Sequence, residues 1–400
     1  QSLPSLLQLE INQFSIDGFA QKYFATHKRG LFRRRVPVKD MLRWTKDSIR
    51  QPLLNDLGHK REALECFKVL QIWMGDRTKP RHYDLMQHIQ TLLDCGISKG
   101  PMRDEIYVQI CRQLNKNPKR ESVQKGWQIM SVVAITFPPS KNLESYLIDF
   151  VKQYSIDPLM MQYILTKLER ICLKGARGKT LSVAEIERAM EAPFKPSVFG
   201  ESLETVMGLE KDPKLKIPQV MIFLTDAVKA LDGKRTQGIF RVPGDADIVT
   251  DLRVRIENGN YDTTGIHDPN VPASLLKYWL RDLSEPLIPF YLYQQCIEYA
   301  SEGHQVVKII NSLPDHNRRI LLYMTHFIQE FIEPQVVQHT LMTVSNLAMV
   351  FAPNYFKCPS SHLPTLFENS KHEQTFVRTL ISLSNLDKNT LTYGEHVVIK

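Results

Sequence analysis

No run of 18 uncharged apolar residues occurs anywhere in the 400-residue chain, and the richest apolar stretch is only Val132 to Phe137, too short for a bilayer-spanning helix. Cysteine is scarce: Cys66, Cys95, Cys111, Cys172, Cys296 and Cys358 have neither Cys-x-x-Cys spacing nor the density of a disulfide scaffold. That pattern predicts reduced core thiols in a cytosolic protein, and the lack of an Asn-x-Ser/Thr triplet agrees with a cytoplasmic address. The histidines form no His-Glu-x-x-His pair, and no Cys/His group has zinc-ligand spacing, so no metal and no cofactor is expected. Alternating strand patterns long enough to found a sheet are missing too. The start of the chain has neither an initiator Met nor the basic, apolar and small-residue order of a secretory leader, and a fragment of a longer protein is expected.

What is present is a globular composition, 43% apolar and 24% charged, in a length suited to about two to three domains. The net charge of +8 is split unevenly, with +12 in residues 1–200 and −4 in residues 201–400. Such asymmetry suggests two units with different partners and makes an acidic partner plausible for the first. Apolar residues recur at three and four, predicting helices over Ala63–Met74, Tyr83–Cys95, Met102–Leu114, Val123–Ile135 and Leu143–Tyr154. Gly75, Gly96, Gly100-Pro101, Asn117-Pro118 and Pro138-Pro139 punctuate them. Ser182 with Glu185 has capping-box spacing. Pro193 and Pro196 then place a boundary near Ala192 to Ser197, giving units 1–195 and 196–400. Helices resume at Gln219–Ala230, Asp247–Asn258, Ser274–Leu283, Phe290–Ala300, Gln305–Ser312, His316–Gln329, Met342–Val350 and Glu373–Ser382. The expected class is all-α, two helical domains in tandem.

Two enzyme-like strings fail on context. Gly96-Ile97-Ser98-Lys99-Gly100 matches a nucleophile elbow, but such an elbow follows a strand, and here a helix precedes it. Arg177-Gly178-Lys179-Thr180 resembles a P-loop end, but the earlier glycine position holds Leu173. Two basic runs, Lys28, Arg29, Arg33, Arg34 and Arg35, then Lys116, Lys119, Arg120 and Lys125, read either as a patch for an acidic polymer or membrane or as a solvated surface. No nucleic-acid module accompanies them, so nucleic acid is not the expected partner.

Three segments of the second half carry more. Gly238-Ile239-Phe240-Arg241-Val242-Pro243-Gly244 places an arginine between an apolar anchor and a Pro-Gly turn. In Ser274 to Leu283, Leu276, Trp279, Leu280 and Leu283 form the buried stripe. Lys277 and Arg281 stand at i and i+4, a like-charge pair relieved either by solvent and nearby acids or by an acidic partner. Ser345 to Asn354 reads as a helix running into a Pro353 turn that exposes Asn354.

Together and in this order the three segments resemble the signature of the Rho GTPase-activating (RhoGAP) domain over roughly Val198 to Ser382. The resemblance implies an all-helical module that binds a Rho-family GTPase carrying GTP and Mg²⁺ and inserts an arginine finger, which by position is Arg241. It also implies that Lys277 and Arg281 are the basic pair supporting the finger loop and contacting the GTPase, and that Asn354 is a contacting asparagine. In the first half, Ile72-Trp73-Met74-Gly75-Asp76, Arg103 to Gln109, Gly126-Trp127-Gln128 and Phe137-Pro138-Pro139-Ser140 resemble the myosin-tail-homology-4 (MyTH4) domain over roughly Val36 to Leu173. Trp73, Tyr107 and Trp127 read there as packing residues. This second resemblance implies an interaction module linked to microtubules, with cytoskeletal association. The tandem is similar to the C-terminal part of Vilse-type Rho GTPase-activating proteins, which implies a Rac-like partner. The alternative is a non-catalytic GTPase-binding scaffold whose basic half tethers it to cytoskeleton or membrane.

Overall fold

The computed structural model describes residues 16–29, 31 and 34–400; residues 1–15, Gly30, Phe32 and Arg33, the last from the densest basic run, lie outside the described residues. Its contacts divide the chain into two units, Gln1–Pro196 and Ser197–Lys400. Nearly every regular element is an α-helix, and the only strands among the described residues are the antiparallel pair β1 (Lys28–Arg29) and β2 (Arg34–Arg35).

The first unit contains α1 (Ile16–Tyr23), α2 (Val38–Met41), α3 (Lys60–Trp73), α4 (Leu85–Ser98), α5 (Gly100–Leu114), α6 (Arg120–Ala134), α7 (Lys141–Tyr154), α8 (Pro158–Lys174) and α9 (Val183–Glu191). Helix α5 is central, packing on α3, α4, α6 and α7. Its Met102, Ile106, Tyr107, Val108 and Ile110 are all fully buried. Tyr107 donates its hydroxyl to the Phe137 carbonyl at 2.7 Å, and Trp73 donates its indole N–H to the Lys125 carbonyl at 2.9 Å, so the aromatic residues do pack as predicted. Gly96 does not end α4. The helix continues to Ser98, and a Cβ at Gly96 would sit 2.1 Å from the Phe137 ring, so close packing rather than termination requires this glycine. Only Lys99 separates α4 from α5, so Ser98 is the last residue of a helix that runs directly into another, its hydroxyl bonded to the Asp94 carbonyl. The capping box at Ser182 and Glu185 opens α9.

A buried carboxylate ties the irregular segment before α3 to the bundle. Glu105 is fully buried, and its oxygens accept the N–H groups of Leu53 at 2.6 Å and Leu54 at 3.0 Å. Burial pushes the Glu105 carboxyl up to about 7, against the pull of those hydrogen bonds toward the ionised form. The folded chain therefore holds this proton more tightly than the unfolded one. The resulting stabilisation is complete below the ordinary carboxyl value and is lost as pH rises through about 7. Glu105→Gln removes that titration and turns an amide NH₂ toward one of the two N–H donors, a loss of about 1–3 kcal/mol. Urea unfolding should show the wild-type advantage over this variant to be larger at pH 5 than at pH 8; an advantage independent of pH would contradict the assignment.

The second unit contains α10 (Leu203–Gly208), α11 (Gln219–Ala230), a 3₁₀ turn (Gly233–Arg235), α12 (Ala246–Glu257), α13 (Asn270–Arg281), α14 (Phe290–Glu298), α15 (Gly303–Ser312), α16 (Asp315–Phe331), α17 (Pro334–Thr340), α18 (Val344–Tyr355), α19 (Leu363–Leu383) and α20 (Lys388–Tyr393). Helix α13 packs against α11 and α18, and α18 against α19. One core joins Leu224, Trp279, Leu322, Phe351 and Leu380, all at most 1% exposed. Helix α13 begins at Asn270, so Ser274 lies inside it rather than at its start.

Pro353 does not end α18. The helix runs on to Tyr355, and Asn354 is buried, 8% exposed, with its Nδ2 donating to the Val350 carbonyl at 2.8 Å. The expectation of an exposed Asn354 is therefore corrected. A proline in the last turn removes only one backbone donor, while the burial of Phe351, Ala352 and Tyr355 around it holds the turn in place.

Candidate functional site

The loop between the 3₁₀ turn and α12 holds two residues at positive φ, Gly238 and Phe240. Gly238 has φ +72°, and a Cβ there would meet Val242 Cγ2 at 2.7 Å, so the turn needs glycine. The Gly238 carbonyl accepts the N–H groups of both Arg241 and Val242 at 2.9 Å, and the Gly238 N–H is bonded to the Thr340 carbonyl at 2.8 Å. Phe240 is left-handed as well, at φ +71°, an arrangement costing a non-glycine residue on the order of 1–3 kcal/mol unless its surroundings enforce it.

They do enforce it. The Phe240 ring, 1% exposed, sits among Phe327 at 5.7 Å, Phe331 at 5.0 Å and Phe351 at 5.0 Å between ring centroids. Its carbonyl accepts a hydrogen bond from Lys277 Nζ at 2.5 Å. The far end of the loop is held by the same helix: Ser274 Oγ accepts the Gly244 N–H at 2.9 Å, and a Cβ at Gly244 would approach the Asn270 and Val271 backbone to 2.8 Å. Ser274 and Lys277, three residues apart on one face of α13, thus brace both ends of the segment between them.

Arg241 lies in that segment and is exposed, and its side chain has no partner among the described residues. Val242 beside it is 43% exposed. Lys277 is half-buried, and its ammonium is held below the ordinary lysine range, first by burial and then by the like charge of Arg281. Arg281 is exposed one turn further along α13. Asn354 stands apart from these three, its amide bonded within its own helix, although that helix supplies Phe351 to the Phe240 socket. The structure therefore joins Arg241 and Lys277 through the Phe240 carbonyl, puts Arg281 on the same helix as Lys277, and turns Asn354 inward.

The sequence pattern does not mark the roles of Ser274, Thr340 or the three rings around Phe240. The spacing of Phe327 and Phe331 marks a buried helix face without saying what it buries, and nothing local marks the Ser274 bond to Gly244. In the first unit, the fully buried Asp76 carboxylate accepts from Trp44 Nε1 at 2.9 Å and Ser122 Oγ at 2.8 Å, a role its place in the Ile72 to Asp76 motif does not reveal. Of the basic runs, Arg34, Arg35, Lys116, Lys119 and Arg120 are exposed, and Lys119 lies 5.6 Å from the Trp44 ring centroid and 3.7 Å from Asp76. No group of three His, Cys, Asp or Glu among the described residues is arranged to hold a metal ion.

Fold and loop together define an all-helical module that presents, on a braced turn, an exposed guanidinium without a partner among the described residues. Residues 218–360 match the model of the RhoGAP domain, and residues 89–188 match that of the MyTH4 domain. The chain carries a MyTH4 domain followed by a RhoGAP domain. It is 39% identical over 194 residues to GTPase activating protein homolog 2 of Dictyostelium discoideum, covering 48% of this chain and 22% of that protein. It is 30% identical over 212 residues to human Rho GTPase-activating protein 24, covering 50% of this chain and 28% of that one. The crystal structure of human Rho GTPase activating protein 15 aligns with a TM-score of 0.44 at 21% identity, over 50% of this chain and 96% of that one. The chain spans about a fifth of the length of the first of these curated relatives.

Proposed function

We propose that this chain accelerates GTP hydrolysis by a Rho-family GTPase, with Arg241 supplied in trans as the arginine finger. Hydrolysis is slow in such GTPases because charge must spread over the phosphoryl oxygens and the attacking water must be held in line. A guanidinium offers those oxygens a planar fork of donors. The observation that carries the reading is the exposed Arg241, without a partner among the described residues, next to a residue locked by three rings and an ammonium. A stiff mounting means that little ordering entropy opposes insertion. GTP and Mg²⁺ belong to the partner.

Lys277 acts here as a positioning residue, and Arg281 as a cation facing the GTPase. Asn354, buried in this structure, contacts the GTPase only through the end of α18. The resemblance to Vilse-type proteins points to a Rac-like partner. Domain limits of 1–195 and 196–400 belong to the same reading. The exposed basic residues of the first unit suit an acidic surface such as tubulin tails or an anionic membrane, which would bring the chain to the cytoskeleton within the cytoplasm. Phosphate release from a panel of GTP-loaded Rho-family GTPases tests the activity: stimulation strongest with a Rac-type partner supports the reading, and binding without stimulation would establish the scaffold alternative. Lys277→Met keeps the aliphatic stem and removes the donor to the Phe240 carbonyl. It should lower the stimulated rate about 10- to 100-fold with little change in melting temperature, since finger misplacement and not unfolding is the defect. An unchanged rate would deny Lys277 that role.

A further inference from the structure

Cys66 on α3 and Cys95 on α4 line one cavity of about 310 Å³ in the first unit, a feature that the GTPase reading does not use. Exposed Arg61, Glu65 and Thr91 stand at its rim, while Cys66 lies at depth, 4% exposed, and Cys95 is half-buried. Both thiols lie in the wall of this cavity, on helices that pack against each other, close enough for each to act on the other. Lys99, ion-paired with Glu62 at 2.6 Å, lies close enough for its charge to act on Cys95. No third ligand accompanies the thiols in a metal-binding arrangement among the described residues. Two thiols on neighbouring helices, in the wall of one cavity with an exposed rim, are suited to two-electron oxidation.

We propose that Cys66 and Cys95 form a dithiol site that hydrogen peroxide converts to an intrachain disulfide joining α3 to α4. The Cys95 thiolate attacks one peroxide oxygen; the O–O bond breaks, the other oxygen leaves as water after taking a proton, and Cys95 becomes a sulfenic acid. Cys66 sulfur then attacks the Cys95 sulfur. Its proton and the departing hydroxide make a second water, so one peroxide is reduced while two thiols are oxidised. The order follows from the environment: hydrogen bonding from Cys66, then the Lys99 charge, hold the Cys95 thiol below its ordinary range, opposed by burial and by Glu62 and Asp94. Bonding to Cys95, then burial, raise Cys66. The remaining thiols are poorer nucleophiles where burial pushes them up, Cys172 to about 11 and Cys296 to about 12.

The test uses the whole chain. It is treated with one equivalent of hydrogen peroxide, its free thiols are alkylated, and it is digested without reduction. The expected result is one cross-linked peptide pair joining Cys66 to Cys95, lost on adding dithiothreitol, with the other four cysteines alkylated. Cys66→Ser should leave Cys95 as a sulfenic acid that dimedone captures, and Cys95→Ser should slow peroxide consumption at least about tenfold. Earlier oxidation of Cys172 or Cys358, or sulfenic acid persisting on Cys95 of the unaltered chain without cross-linking, overturns the proposal. Because mapping the unaltered chain decides the question, misfolding of a variant does not affect the outcome.

Discussion

Arg241→Ala should reduce stimulated GTP hydrolysis by about 10³-fold or more, the range an arginine finger supplies in this chemistry. Affinity for the GTP-bound partner should change far less, because in the proposed mechanism the guanidinium engages charge that is fully developed only in the transition state. The substitution removes an exposed side chain with no partner among the described residues, so thermal stability should stay within about 0.5 kcal/mol of the unaltered chain. Arg241→Lys should recover little, since an ammonium is a point charge on a flexible stem and cannot bridge two oxygens in one plane. The measurement is single-turnover phosphate release at saturating activator, alongside equilibrium binding to the GTP-loaded partner. Hydrolysis at the unaltered rate in Arg241→Ala would remove Arg241 from the mechanism, leaving the dithiol proposal untouched.

Phe240→Ala should produce the opposite signature, a loss of stability together with a loss of rate. The ring is 1% exposed among Phe327, Phe331 and Phe351, and truncating such a residue costs about 3–5 kcal/mol through lost burial and the cavity left behind. Alanine would still have to hold the left-handed backbone, φ +71° in the unaltered loop, but without the packing that enforces it. For a unit of this size that corresponds to a fall of about 10 °C in the melting transition of the second unit. Calorimetry of Phe240→Ala beside Arg241→Ala separates mounting from finger. If Phe240→Ala melts as the unaltered chain does and still stimulates hydrolysis, the loop is held by something other than its aromatic socket.

Much of this was legible along the chain. Recurrence at three and four marked most of the helices, because a helix buries one face and its period is local. Ser182 with Glu185 announced a capping box, and Ile239 and Phe240 read as an anchor because consecutive apolar residues beside a glycine turn have few other uses. Errors arose where local punctuation met tertiary packing. Gly96 looked like a stop and is instead the seat of the Phe137 ring. Pro353 looked like a helix end, but burial of its neighbours on α18 carries the helix past it and draws Asn354 inward.

The linear order of residues by itself determined the helical class, the placement of Arg241 between an apolar anchor and a Pro-Gly turn, and the charge difference between the halves, since each depends only on near neighbours or on composition. Tertiary structure alone decided that Lys277 would hold the Phe240 carbonyl, that Ser274 would hold Gly244, and that Cys66 and Cys95 would line one cavity. The residues of these pairs lie 30 or more positions apart for the two hydrogen bonds and 29 for the cysteines. A periodic pattern states which face of a helix is buried but not which distant atom meets it, and that choice is made only when close-packed helices settle their mutual rotation and depth.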